Sequence, residues 1–114
     1  MFSLTSVHDY YLYRHPTDMR KSFDTLCGIV ASEMGDNPKS GHVYIFINKP
    51  RNKIKLLHWE PGGLVLYYKR LERGTIELPM AADKESRIPI EWTTLVMMVE
   101  GISIENIKKR KRYL

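Results

Sequence analysis

GHVYIFIN (residues 41–48), KIKLLHWE (residues 53–60) and LVLYYKRLERG (residues 64–74) form the stretch that decides the fold of this chain. The three runs are rich in β-branched and aromatic residues, and turn-forming residues separate them, which is typical of β-strands. Val43–Ile47 is apolar without a break, as expected of a central strand that is covered on both faces. Links this short imply antiparallel pairing of the three strands.

Side chains in the second and third runs alternate between the two faces of the predicted sheet. Lys55, Leu57 and Trp59 are expected to share one face of their strand. In the next strand, one face is shared by Leu64, Leu66, Tyr68 and Arg70. Cations and aromatic side chains are therefore interleaved along the sheet, a combination that suits a nucleic-acid surface.

The residues before these runs predict a further strand and a helix. Tyr10–Arg14 is aromatic-rich and predicts a first strand. Thr17 or Asp18 can cap a helix, because either side-chain oxygen can accept from the amides of the first turn. Apolar residues then recur at helical spacing through Met19–Met34, and Gly35 ends that helix.

The residues after the three runs predict the last elements. Ile76–Leu78 reads as a short last strand, and Pro89 suits the first position of a helix. Ile90–Val99 carries an apolar face, and Gly101 is a C-terminal stop. Together these elements predict an α+β fold in which an antiparallel sheet of four or five strands packs against two helices.

The size and composition of the chain indicate one domain. The 114 residues are 43% hydrophobic, enough to bury a core, and we place the domain at residues 1–105 with a basic tail at residues 106–114. Cys27 is the single cysteine, so an intrachain disulfide is impossible. No apolar run approaches the ~20 residues of a membrane span, and residues 1–13 lack the pattern of a signal peptide. We expect a cytoplasmic, nucleoid-associated protein without a cofactor.

Positive charge concentrates in the middle of the chain. The net charge is +5 and the pI is near 9.4, a balance that favours phosphate polyanions or acidic partners. Within residues 49–73 only Glu60 and Glu72 oppose the cations, which are Lys49, Arg51, Lys53, Lys55, Lys69, Arg70 and Arg73. Such cations would release counterions from DNA and bind it without regard to sequence. Alternatively, the lysines protect an edge strand from aggregation and keep one face hydrated.

Two further charged features leave alternatives open. Arg70 either pairs with Glu72 along one strand face, or the two orient one another while Lys69 and Arg73 face phosphate. The tail Lys108–Arg112 is a run of cations that could slide along a phosphate backbone or remain a solvated terminus.

The pattern of titratable residues predicts neither a catalytic nor a metal site. His42 and His58 lack the close spacing of metal ligands, and no nucleophile–base pair or carboxylate trio stands out. Asp18 and Asp24 are better explained as a cap and a surface or intramolecular anchor. Several aromatic side chains could stack on unpaired bases, although most are expected to pack within the sheet. They are Tyr10, Tyr11, Tyr13, Tyr44, Tyr67, Tyr68 and Trp59.

Four motifs together resemble a known family. They are TDMRK (residues 17–21, followed by Phe23, Asp24 and Leu26), SGHVYIF (residues 40–46), KLLHWE (residues 55–60) and LYYKRLE (residues 66–72). In this order and spacing they are similar to the TnpB-type (second-frame) accessory protein of the insertion-sequence-sixty-six family of bacterial transposons. The likeness runs from about Tyr10 to Gly101, and the basic tail after Ile104 departs from it.

The resemblance implies a small accessory protein that works beside a separate large transposase and supplies no catalytic residues. We therefore predict a non-enzymatic accessory factor in DNA transposition that binds DNA near the element ends, with the transposase and the other accessory protein of the element as partners. The expected DNA contacts are Arg20, Lys21, Arg51, Lys53, Lys55, Lys69, Arg70, Arg73, Lys108, Lys109 and Arg110. The alternatives are a protein–protein adaptor that holds the transposase without touching DNA, and a small nuclease.

Overall fold

Five strands and two helices make up the fold, in a computed structural model that describes residues 4–79 and 85–101. In chain order the elements are β1 (Tyr10–Tyr13), α1 (Phe23–Ser32), β2 (Val43–Ile47), β3 (Lys53–Glu60), β4 (Gly63–Arg70), β5 (Arg87–Ile90) and α2 (Trp92–Glu100). The strands form one sheet in the order β4-β3-β2-β1-β5. The predicted α+β class is confirmed.

Strand β2 lies at the centre of the sheet and is buried along its whole length, as its unbroken apolar run predicts. Its side chains alternate between two cores. Val43, Ile45 and Ile47 pack into the core that includes α2, whereas Tyr44 and Phe46 pack into the core that includes α1. The sheet therefore separates the two helices and is covered on both faces.

Strands β1 and β2 run parallel, with Tyr10 opposite Val43, so the prediction of a wholly antiparallel sheet is wrong at this pair. The physical reason is the length of the connection. A parallel pair requires a crossover, and helix α1 provides one, whereas the short links of β2, β3 and β4 permit only antiparallel neighbours.

The last strand is β5, and its position differs from the prediction. Residues Arg87–Ile90 pair antiparallel with β1, so Pro89 lies in an edge strand rather than at the start of a helix. A proline is tolerated there because an edge strand has one side without ladder hydrogen bonds. Ile76–Leu78 forms no strand; the amide of Ile76 donates to the carbonyl of Arg51 at 2.6 Å, and its side chain is buried.

Helix α1 begins at Phe23, later than the predicted Met19, and Ser22 rather than Thr17 or Asp18 precedes it. The carbonyl oxygens of Met19 and Lys21 accept hydrogen bonds from the Lys55 ammonium, each at 2.7 Å. Those oxygens are thus engaged by a side chain from the sheet instead of by helical amides, which keeps this segment out of the helix.

The predicted stop at Gly101 is confirmed, because Gly101 is the C-cap of α2. Helix α1 ends at Ser32 with Glu33 as its C-cap, before the predicted Met34, so Gly35 lies beyond the end of the helix. Gly35 and Gly101 both adopt the left-handed backbone region, with φ of 65° and 73°. After α1 the amide of Asp36 donates back to the carbonyl of Val30 at 3.1 Å, and after α2 the amide of Gly101 donates to that of Met98. A residue with a side chain would be strained at these positions, which explains why α2 ends at Gly101 and why the chain turns at Gly35 after α1 has ended.

A polar network centred on Asp36 joins the end of α1 to β2 and β5. The Asp36 carboxylate accepts from the His42 Nδ1 at 2.9 Å and from the Tyr44 hydroxyl at 2.8 Å, and it pairs with the Arg87 guanidinium at 3.1 Å. Arg87 also lies over the Tyr11 ring, 4.6 Å from its centroid. Burial acts to raise the pKa of Asp36, but the hydrogen bonds from His42 and Tyr44 outweigh it and lower that pKa to about 2.

We expect Asp36→Asn to lower the free energy of unfolding at neutral pH by about 1–3 kcal/mol, because the substitution removes the charge that these donors share. A carboxylate with a depressed folded-state pKa stabilises the fold above its ordinary pKa and loses that effect as the pH falls. The difference in the free energy of unfolding between the wild type and the variant should therefore decrease as the pH falls from about 5 to about 2. Urea unfolding at several pH values measures it, and a gap independent of pH contradicts the role of Asp36.

Candidate nucleic-acid interface

Lys55 is a buried cation that holds the segment between β1 and α1 against the sheet. The residue is 5% exposed, and its Nζ donates to the carbonyls of Met19 and Lys21. The ammonium also lies 4.7 Å from the centroid of the Tyr68 ring. Burial lowers the pKa of Lys55, although the carboxylate of Asp18 acts in the opposite direction.

The expectation that Lys55 contacts DNA does not fit this environment. Its ammonium faces backbone carbonyls and an aromatic ring, and little of the side chain is exposed to solvent. Strand alternation correctly predicts that Lys55 and Leu57 share a face, but the loop before α1 covers that face at Lys55. We therefore leave Lys55 out of the proposed DNA surface and treat it as the residue that positions this surface.

A groove of about 550 Å³ lies at the end of the sheet that Lys55 organises. We call it the basic groove, and it is lined by residues 16–20, residues 48–50, Lys53 and Tyr68. The amide of Thr17 donates to the carbonyl of Ile47 at 2.8 Å, which attaches the first wall to the end of β2. Two loops distant in sequence are thereby brought together.

Charge in the basic groove is predominantly positive. Arg20, Lys49 and Lys53 line it, and Asp18 is the one carboxylate among its lining residues. The Asp18 carboxylate is paired with Arg20. The guanidinium donates to Oδ2 of Asp18 through Nε at 3.0 Å and through Nη2 at 2.6 Å. These hydrogen bonds lower the pKa of Asp18 to about 2, so the carboxylate stays charged and paired. Lys49 and Lys53 have no such partner among the described ion pairs.

Asn48 shapes the second wall of the basic groove. Its side-chain oxygen accepts from the amides of Asn52 and Lys53, both at 3.0 Å, and its amide group donates to the Asn52 side chain at 2.7 Å. Arg51 adopts a φ of 58° within this turn, a conformation that non-glycine residues rarely take. The turn therefore holds Lys49 and Arg51 in a defined backbone geometry.

Tyr68 provides an aromatic surface in the basic groove. The residue is 50% exposed, unusual for a tyrosine in a sheet. A ring held by a cation and open to solvent can stack on a base. Among the tyrosines considered for stacking, Tyr68 is thus the one that lines the cationic groove.

The fold places the remaining predicted DNA contacts on different faces of the sheet or away from the basic groove. Arg70 is opposite Lys53 in the register and shares its face, whereas Lys69 points to the other face of the sheet because neighbouring side chains alternate. Lys21, Arg51 and Arg73 are exposed but do not line the basic groove. Lys108, Lys109 and Arg110 lie outside the described residues, as does the predicted domain boundary at residue 105.

The two alternatives for Arg70 and Glu72 are partly resolved. No ion pair joins them within residues 4–79 and 85–101, so the structural pairing is not formed. Lys49 belongs to the central cations but not to the DNA contacts that the sequence predicts, and it lines the basic groove. The sequence feature that could have identified Lys49 is its position in the predicted turn between β2 and β3. That turn lies at the same end of the sheet as the C-terminal end of β4.

The titratable residues considered for chemistry are mostly engaged in structure. His42 belongs to the Asp36 network, and His58 is 4% exposed with a pKa lowered by burial. Over the described ranges, no three His, Cys, Asp or Glu side chains are grouped as a metal site would require. The same ranges contain no helix of the length and apolarity needed to cross a bilayer.

The sequence profile described as "IS66 Orf2 like protein" matches residues 8–109 of this chain. Since the match covers most of the chain, the protein belongs to the IS66 Orf2-like family of insertion-sequence proteins. The predicted resemblance is confirmed, and it extends further than expected, because Lys108 and Lys109 of the basic tail fall within the match. Family membership implies an accessory role associated with transposition.

Two relatives come from Sinorhizobium fredii (strain NBRC 101917 / NGR234). The uncharacterized protein y4jC is 25% identical over 95 residues, covering 83% of this chain and 80% of its own length. The uncharacterized protein y4hO is 30% identical over 86 residues, covering 75% and 73% respectively. No solved structure matches the chain significantly.

We expect Lys55→Met to lower the free energy of unfolding by about 1–3 kcal/mol, because methionine keeps the aliphatic length but leaves two carbonyls without their donor. Lys53→Met is the matched control: it lies on the same strand and face but is partly exposed, and it should change stability by less than about 0.5 kcal/mol. Urea unfolding curves of both variants test this. Equal midpoints would show that the Lys55 ammonium does not hold the segment before α1.

Proposed function

We propose that this protein is a non-catalytic accessory factor in DNA transposition and that it binds the phosphate backbone of DNA in the basic groove. The observation that carries the proposal is the convergence of Arg20, Lys49 and Lys53 on one groove beside an exposed Tyr68. Family membership supports the link to transposition. A protein with this role would act at the nucleoid.

For Lys49 and Lys53, phosphate contact accounts for the charge better than the alternative of an edge strand protected by lysines. Lys49 lies in a turn, and Lys53 lies at the start of β3, which has a neighbour on each side. Neither cation therefore guards an exposed strand edge. Each lysine that neutralises a phosphate releases counterions, and two adjacent walls allow consecutive phosphates to be bound.

The pairing of Arg20 with Asp18 limits what Arg20 can do. Recognition of guanine by arginine uses two donors of the guanidinium at once, and Asp18 already occupies Nε and Nη2. Arg20 would therefore contribute charge and position rather than sequence preference. Arg70, which shares the face of Lys53 and forms no described ion pair, is the better candidate for contact with a base edge.

We expect Lys49→Ala and Lys53→Ala each to weaken DNA binding and to make the plot of log affinity against log salt shallower by about 0.9 per lost phosphate contact. Lys39→Ala is the matched control, since Lys39 is also exposed but lies beside Trp59 at the other end of β3. Fluorescence anisotropy with an element-end duplex and a scrambled duplex, at rising salt, measures both effects. Undetectable binding to both duplexes at low salt refutes the proposal. If Lys39→Ala weakens DNA binding as much as the groove variants do, the DNA site does not lie in the basic groove.

We also propose that the transposase of the same element, and its other accessory protein, are partners. Pull-down from a lysate treated with nuclease tests this, because a complex bridged only by DNA is lost on digestion. Retention of the transposase by the Lys49→Ala variant in digested lysate would establish direct protein contact. Loss of the transposase from both wild type and variant after digestion would leave DNA as the only link and reject the adaptor.

A further inference from the structure

The two edges of the sheet differ in how they are protected. The β5 edge has only four residues. The amide of Arg14 donates to the carbonyl of Ser86. Because every second residue of an antiparallel strand directs its backbone groups to the same side, those of Ile88 and Ile90 also face β1. Pro89 then faces outward, where it offers no N–H to an incoming strand. Short length and an outward proline are established means of blocking an edge.

The β4 edge has neither of these protections, and its two cations, Lys69 and Arg70, lie together at its C-terminal end. It has eight residues in continuous register with β3, from Gly63 opposite Glu60 to Arg70 opposite Lys53, with no bulge and no proline. The amide of Leu71 donates to the carbonyl of Asn52, so odd-numbered residues of β4 face β3. The backbone groups of Leu64, Leu66, Tyr68 and Arg70 consequently face outward, and within the described residues β4 pairs with β3 alone.

The sequence of β4 is complementary to itself in one antiparallel register. With Leu66 opposite Leu66 of a second copy, Leu64 faces Tyr68 and Val65 faces Tyr67, so apolar side chains meet on both faces. In this register Lys69 faces Gly63, and no two cations are opposed. Registers centred on Lys69 or Arg70 would oppose like charges, which destabilises a strand pair.

We propose that the β4 edge pairs antiparallel with the β4 edge of a second copy of this chain, with Leu66 of the two copies opposite one another. Such pairing would join two five-stranded sheets and satisfy the outward backbone groups of both edges. The two-fold axis would stand perpendicular to the sheet, so α1 of both copies would lie on the same face. The two Arg70 residues would then be separated by about 27 Å along the strands.

Disulfide trapping tests the register on the full chain carrying Cys27→Ala. Leu66→Cys should form an intermolecular disulfide under mild oxidation with diamide, because paired residues in a hydrogen-bonded position have Cα atoms about 5.5 Å apart. Val65→Cys is the matched control: its copies would be about 8 Å apart, beyond the reach of a disulfide. Equal trapping of both variants, or of neither, overturns the proposal.

Sedimentation equilibrium of the wild-type chain without DNA provides the second measurement, and the expected result is a dimer. Leu66→Pro removes the outward N–H without breaking the ladder to β3, and it should shift the chain to monomer while the circular dichroism of the fold persists. A wild-type chain that is monomeric at micromolar concentration overturns the proposal. That result also holds against it if the β4 edge instead binds the transposase.

Discussion

The hydrogen bonds from the Lys55 ammonium to two backbone carbonyls are the constraint on which the functional end of this protein depends. The carbonyls of Met19 and Lys21 would otherwise be available to helical amides, and their capture fixes where α1 starts. The same contact lays residues 16–20 across the sheet and makes them a wall of the basic groove. A buried cation thus creates a surface for other cations. It is stabilised by two backbone carbonyls, the Tyr68 ring and the electrostatic effect of the Asp18 carboxylate.

The opposite end of the sheet is organised by an anion. Asp36 accepts hydrogen bonds from His42 and Tyr44 and pairs with Arg87; these residues lie just before β2, in β2 and in β5. The connection between α1 and β2 is therefore tied down at one end, and the connection between β1 and α1 at the other. Both ties matter because β1 and β2 are parallel and the crossover between them must be held in place.

The position of β4 links the proposed functions. Its α1-facing side chains include Tyr68, which lines the basic groove, while its outward backbone groups have no strand partner within residues 4–79 and 85–101. Pairing through that edge would leave the groove side chains on one face and present two grooves to the same DNA. A small accessory protein with one groove would bind weakly, and two grooves at a fixed separation raise affinity by effective concentration.

The sequence by itself determined the central meander, the two helical regions and the family, because hydrophobic periodicity and short links are local properties. It also placed Tyr68 and Arg70 on one face of their strand, and Lys55 and Leu57 on one face of theirs, as the register has them. Only the tertiary structure decided that Lys55 is buried, that β1 is parallel to β2, and that Arg87–Ile90 is a strand rather than the start of a helix. Each of these depends on a contact between residues distant in the chain, and the sequence pattern around any one of them carries no information about the other partner.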